Sequence, residues 1–192
     1  MFGCVLVIDG ENFLHKLREV LKLSGLKNKE VDLATIDLNR LFKKPLKYFK
    51  VTRKVFYVSK LHLHPETRRK SEKLIKFQRK LRNSLIKQGF EFIIAGNVRA
   101  QKVGQKVIFR EKGVDVKIAV DLVCLAADGK IKTAILCSSD SDLQPAVHEL
   151  RRRKVVVIYL GFDNDPNKGL IYTTNKTILL RNLDIIKVVK KD

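Results

Sequence analysis

Four consecutive apolar residues, Val5-Leu6-Val7-Ile8, stop at Asp9 and Gly10, after which Leu14, Leu17, Val20 and Leu21 recur at helical spacing. The run predicts a buried strand, and the spacing predicts a helix from about Asn12. The alternation continues along the chain. "IDLNRLF" (36–42) reads as a short helix with Asp37 as its N-cap, and "KVFYVS" (54–59) as a second strand. From Pro65, a residue suited to a first helical position, Leu74, Phe77, Leu81 and Leu85 share one face of a long helix closing at Gly89. "FEFIIAG" (90–96) is a third strand, 114–128 a helix, "TAILCSS" (133–139) a fourth strand, "SDLQPAVHELRRR" a helix and "KVVVIYLG" (154–161) a fifth strand. "TILLRNLDIIKVV" reads equally as helix or strand. Residues 98–111 differ: two β-leaning segments flank Gly104-Gln105, the pattern of a hairpin inserted before the next helix.

Strands alternating with helices predict an α/β fold, with a mainly parallel central sheet of about five strands and helices on both faces. No repeat, low-complexity tract or long linker divides the chain, so residues 1–192 are expected to form one domain.

Charge adds a statement about partners. Forty Lys and Arg face twenty Asp and Glu, a formal net charge of +20. An excess of that size suits a polyanion, either nucleic acid or an anionic membrane surface. No apolar run approaches the roughly 18 residues of a spanning helix, and the N-terminus lacks the basic-then-apolar plan of a signal peptide. The expectation is a soluble, cytoplasmic protein with no membrane partner. Cys4, Cys124 and Cys137 fit no zinc-ligand spacing and read as buried, reduced thiols. Phosphate-loop, dinucleotide and nucleophile-elbow motifs are absent.

The carboxylates point to a site. In an open parallel sheet, ligands bind beyond the C-terminal ends of the strands. Asp9 ends the first strand, Asp140 and Asp142 follow the fourth, and Asp115 begins the helix before it. All four should converge on one edge. Each also has a plainer reading. Asp9-Gly10 suits a turn, Asn12 suits an N-cap, Ser139 and Asp142 have capping-box spacing, and Asp115 suits a helix dipole. Together they form an acidic cluster that repels itself without a hard cation such as Mg²⁺ or Mn²⁺. Asp121 lies about 240° round the helix from Asp115, which suits support from behind the site or an ion pair with Lys117.

"VLVIDGENFL", "EKGVDVKIAVDLV" and "AILCSSDSDLQPAVHELRRRKVVVIYLG", in this order, resemble the NYN domain family (LabA-like, PIN-related). The resemblance is strongest over 5–161. It implies a PIN-like Rossmannoid three-layer fold and a metal-dependent ribonuclease. By that resemblance Asp9, Asn12, Asp115, Asp140 and Asp142 are catalytic; the four Asp bind Mg²⁺ or Mn²⁺, and Asn12 orients a metal-bound water or the scissile phosphate. Asn12 matches the polar residue of the first motif and Asp121 a later acid. The hairpin exceeds the family's minimal pattern. Near the C-terminus "TTNKTILL" carries Asn175 and Lys176 where relatives often carry an acid.

RNA is the expected partner, with DNA left open. Contacts are expected from Arg68, Arg69, Lys73, Lys76 and Lys80 on the long helix, and from Arg99, Lys102, Lys106 and Arg110 on the hairpin. A solvated surface helix is the plainer reading of the first group. His62 and His64 alternate but lack a third ligand. An apolar patch on the C-terminal segment could mediate a homodimer. Two alternatives stand beside the nuclease: a nucleic-acid-binding module with a vestigial acidic site, and a phosphatase using Asp9 as nucleophile. The phosphatase calls for an Asp two positions after Asp9, where Glu11 stands.

Overall fold

A computed structural model describes residues 3–26, 31–63, 65, 68–103 and 106–190, and their side chains outside 99–111. The first apolar run forms β1 (Gly3–Asp9), with Val5, Leu6, Val7 and Ile8 fully buried. A strand buried on both faces belongs at the centre of a sheet. β1 indeed pairs in parallel with β2 (Val51–Lys60) on one side and β5 (Ile131–Cys137) on the other. Beyond them lie β3 (Glu91–Val103), β4 (Lys106–Lys112), β6 (Val156–Phe162) and β7 (Lys176–Leu180). The order is β4-β3-β2-β1-β5-β6-β7. All neighbours are parallel except β3 and β4.

The parallel sheet therefore has six strands where five were expected. The sixth, β7, comes from the ambiguous C-terminal stretch, which is a strand and then a helix, α7 (Asn182–Lys190). Five residues followed by nine are too few for either periodicity to declare itself. The hairpin is a continuation of β3, which pairs antiparallel with β4 from Asn97↔Lys112 to Val103↔Lys106. Residues 104 and 105 lie outside the described residues. Gly96 sits where β3 passes from β2 to β4, at φ +68°, and a Cβ there would lie 2.3 Å from the Lys112 carbonyl oxygen. Only glycine fits that crossing.

Helices cover both faces. α1 (Gly10–Leu23), α2 (Leu38–Lys43), α3 (Arg68–Lys87) and α7 pack on one. Phe13 of α1 lies at the heart of that layer, its ring 5.6–6.3 Å from those of Phe42, Phe56 and Phe162. α4 (Val114–Ala127), α5 (Gln144–Arg152) and α6 (Lys168–Thr173) cover the other face through Ile118, Leu122, Val147, Leu150 and Leu170. Each such side chain contributes about 1.5–3 kcal/mol on burial.

Several expectations need correcting. The described part of α3 runs from Arg68, residues 66 and 67 lying outside the described residues, and Leu81 and Leu85 are buried while Leu74 is exposed. Phe77 is partly buried against the same core, so of the predicted stripe only Leu74 stays outside it. Cys137 is buried, Cys4 half-buried and Cys124 exposed on α4, so the thiols are not uniformly buried. Among the described residues no helix is long and apolar enough to cross a membrane.

Leaving β4 aside, strand order runs outward one way through β2 and β3 and the other way through β5, β6 and β7. The reversal falls between β1 and β5. That is where an α/β sheet opens a crevice.

Candidate functional site

Asp9, the last residue of β1, is also the N-cap of α1, where a cap was expected from Asn12. Its Oδ1 accepts from the Asn12 backbone N–H at 3.3 Å. Its Oδ2 accepts from the Asn12 side-chain amide at 2.5 Å and from the Ser138 hydroxyl at 3.1 Å. Asp9 is only 4% exposed. Burial pushes its carboxyl pKa up, the bonds from Asn12 and Ser138 oppose the shift, and the nearby Asp140 charge adds to it.

The loop after β5 carries the next groups. The Ser138 hydroxyl, while donating to Asp9, accepts from the Asp140 backbone N–H at 3.1 Å. Asp140 caps a short 3-10 turn, its Oδ1 accepting from the Asp142 N–H at 2.9 Å. Ser139 does not form the expected capping box. Its hydroxyl donates to Asn12 Oδ1 at 3.0 Å, so both ends of the Asn12 amide are engaged.

Asp115 sits in the first turn of α4, where the positive end of the helix dipole favours a carboxylate. It faces the loop after β5. Oxygens of Asp115, Asp140 and Asp142 lie within 4.8 Å of one another. These three, with Asp9, Asn12, Lys112, Gly113 and Val116, line an open cavity of about 510 Å³. Asp9 thus borders the cavity without joining the three-carboxylate group. Three carboxylate oxygens at this spacing are a donor set suited to a hard divalent cation.

Asp121 lies away from the cavity lining. Its Oδ2 accepts from the Tyr57 hydroxyl at 2.8 Å and its Oδ1 from Lys117 at 2.6 Å. Burial, with the Asp121 bond second, holds the Tyr57 phenol well above its usual pKa.

Pattern reading missed three contributors. Lys112 precedes Gly113 at the end of β4 and places a cation on the cavity wall. Ser138 bridges Asp9 and the Asp140 backbone. Asn167, the N-cap of α6, donates to the Ser139 carbonyl at 2.9 Å and ties the β6–α6 connection to the loop after β5. The serine was visible in "CSSDSD"; nothing in the sequence pairs residue 167 with residue 139.

The basic residues of α3 divide. Arg68 is paired with Glu72 at 3.0 Å and Lys80 with Asp32, whereas Arg69, Lys73 and Lys76 lie on the helix surface. The side chains of Arg99, Lys102, Lys106 and Arg110 lie outside the described residues, as does His64. His62 approaches Asn97 at 3.5 Å.

The sequence matches the NYN domain family over residues 4–181. The chain belongs to the NYN domain family. NYN domains are nuclease-like and PIN-related, and here the match takes in every carboxylate of the cavity. None of the curated proteins compared with it matches. Among solved structures, this NYN domain is similar to a Vibrio parahaemolyticus RIMD 2210633 protein of unknown function, VPA0982. The TM-score is 0.61 at 18% identity, over 93% of each chain. That likeness concerns the fold. Phosphoglycerate kinase from Coxiella burnetii aligns with 98% of this chain and 50% of its own length, at 9% identity and a TM-score of 0.38, and carries no argument.

Proposed function

We propose that this NYN domain is a divalent-metal-dependent ribonuclease acting in the cytoplasm, with RNA phosphodiester bonds cut at the Asp115–Asp140–Asp142 cavity. The observation that carries this reading is the meeting of three carboxylates within 4.8 Å, at the reversal of strand order, in a chain of net charge +20. An acidic cavity in a basic protein separates two tasks: cations collect the polyanion, and carboxylates hold what cuts it.

Asp115, Asp140 and Asp142 would hold Mg²⁺ or Mn²⁺. When bound, such an ion lowers the pKa of a coordinated water and offsets charge on the phosphodiester. Asp9 adds negative potential beside the cavity and, through Ser138, fixes the backbone that presents Asp140. Asn12 and Ser139 hold that arrangement; Asn12 also lines the cavity, where the second N–H of its amide would orient a metal-bound water or the phosphate. Lys112 on the wall is placed to attract a non-bridging phosphate oxygen. Asp121 braces Tyr57 and α4. Arg69, Lys73 and Lys76 form a ridge along which RNA would lie.

The test is cleavage of labelled RNA and DNA with Mg²⁺, Mn²⁺ or EDTA, for the wild type and for Asp140→Asn and Asp115→Asn. Metal-dependent RNA cleavage, lost by a factor of about 100 or more in both folded variants, is expected; removing one such electrostatic contribution costs about 10²–10³ in rate. Activity that survives EDTA overturns the proposal. Salt-sensitive binding without turnover under either ion makes the protein a binding module instead.

A further inference from the structure

α4 is apolar on both sides. Val114, Ile118 and Leu122 face the sheet and are buried. The opposite side carries Val116 at 60% exposure, Val120 at 51%, and exposed Cys124 and Ala127, with Val123 half-buried beside them. A surface helix of a soluble protein ordinarily turns polar residues outward; one that is apolar all round is covered. Lys117 and Asp121, the charged pair flanking this face, are bonded to each other at 2.6 Å.

Charge indicates what covers it. Every other α-helix of the described chain carries more Lys and Arg than Asp and Glu. α4 has two Asp against one Lys. Two copies of a +20 chain repel each other, and α4, the one α-helix of the described chain with an acidic excess, adds nothing to that positive charge. Val120 and Cys124 give RNA phosphates nothing to bind, and Val116 lies where this face meets the cavity.

The stripe is also self-complementary. Val116, Val120 and Cys124 are spaced by four, so an antiparallel α4 pair with its two-fold axis through Val120 sets Val116 of one copy against Cys124 of the other. We infer that the outward face of α4 is a homodimer interface, the two copies meeting through Val116, Val120 and Cys124 about a two-fold axis at Val120. The 14-residue helix is about 21 Å long. A contact confined to it falls at the small end of interface sizes. The dimer is therefore reversible and concentration-dependent. Screening of the repulsion between copies tightens it as salt rises, opposite to the salt dependence of RNA binding.

Sedimentation of the full chain over a range of concentration and salt tests this. The expected result is a rise toward twice the 22.1 kDa chain mass with protein concentration, favoured by added salt. Val120→Asp, at an exposed position outside the cavity, should return the single-chain mass with unchanged circular dichroism.

Oxidative cross-linking supplies the geometry. Val120→Cys on a Cys124→Ser background should give a disulfide-linked dimer. The native Cys124 pair, about 12 Å apart along the axis, should not, because a disulfide needs Cα atoms within about 7 Å. A single-chain mass at every concentration overturns the inference. So does a dimer that persists in Val120→Asp, or cross-linking of the wild type through Cys124 with none in the Val120→Cys, Cys124→Ser protein.

Discussion

Asp9 and Asn12 are bonded twice, backbone N–H to Oδ1 at 3.3 Å and side-chain amide to Oδ2 at 2.5 Å. One residue thus ends β1, caps α1 and borders the acidic cavity, and the other donates to both of its carboxylate oxygens. Asn12→Ala leaves a buried carboxylate short of a donor, a loss of about 1–3 kcal/mol. Chemical denaturation should show a lower midpoint at unchanged slope. An unmoved midpoint would mean that the amide does not support Asp9.

Asp142 is the exposed member of the three-carboxylate group. Asp142→Asn removes like charge and keeps the backbone N–H that Asp140 accepts from. In EDTA the variant should melt no lower than the wild type. With Mg²⁺ or Mn²⁺ at about a hundred times its dissociation constant, the wild type should gain about 2.7 kcal/mol that the variant lacks. Equal metal-induced shifts in both proteins would remove Asp142 from the ligand set.

The placement of the carboxylates followed from chain order. In a parallel sheet with alternating helices, residues that end strands and begin the intervening helices share an edge, so Asp9, Asp115, Asp140 and Asp142 were already neighbours in expectation. Their hierarchy was not legible. Whether Asp9 joins Asp115 or lies behind a pair of hydrogen bonds depends on separations of a few ångströms, which periodicity cannot resolve. Asn12 looked like a cap because amides often are; Asp9 takes the cap because its backbone leaves the strand at φ −75°, ψ 106° and its Oδ1 reaches the Asn12 N–H. Lys112 escaped notice because a lysine before a glycine resembles any other turn residue until β4 brings it to the cavity wall. The exposed thiol of Cys124 was misjudged because α4 has no polar face to reveal which side turns outward.

Gly10 opens α1 directly against β2. A Cβ there would stand 2.4 Å from the Phe56 ring and 2.5 Å from the Tyr57 carbonyl oxygen. The backbone oxygen cannot rotate away, so Gly10→Ala must push α1 off the sheet. A loss of about 1–3 kcal/mol is expected, and cleavage should fall with it because Asp9 and Asn12 move together. A variant as stable as the wild type would show that α1 can shift freely.

Glu149 bonds Arg152 and Arg153, which hold its carboxyl pKa down to about 2 from an ordinary 4.5. A folded-state value below the unfolded one stabilises above pH 4.5 and loses that contribution as pH falls toward 2. Glu149→Gln should therefore melt slightly below the wild type at about pH 6, and the gap should close on acidification. A gap that widens in acid contradicts the sign.

Arg69, Lys73 and Lys76 lie on the outer surface of α3, while Arg68 and Lys80 already have acidic partners. Alanine at each of the first three should flatten the plot of log K against log salt by about 0.7 per phosphate contact to single-stranded RNA. Substituting Arg68 or Lys80 should change the slope less. Equal effects at all five positions would make the ridge a diffuse field rather than a set of contacts.

β4 is the last strand on its side of the sheet, paired with β3 alone among the described residues. The outer row of amides and carbonyls on such a strand is a template on which another extended chain could add itself, and strands so placed are commonly guarded by charge. Lys106, Arg110 and Lys112 fall within its seven residues. Neutralising them to probe nucleic-acid contact would also disarm a defence against precipitation, so solubility has to be monitored in the same samples as affinity.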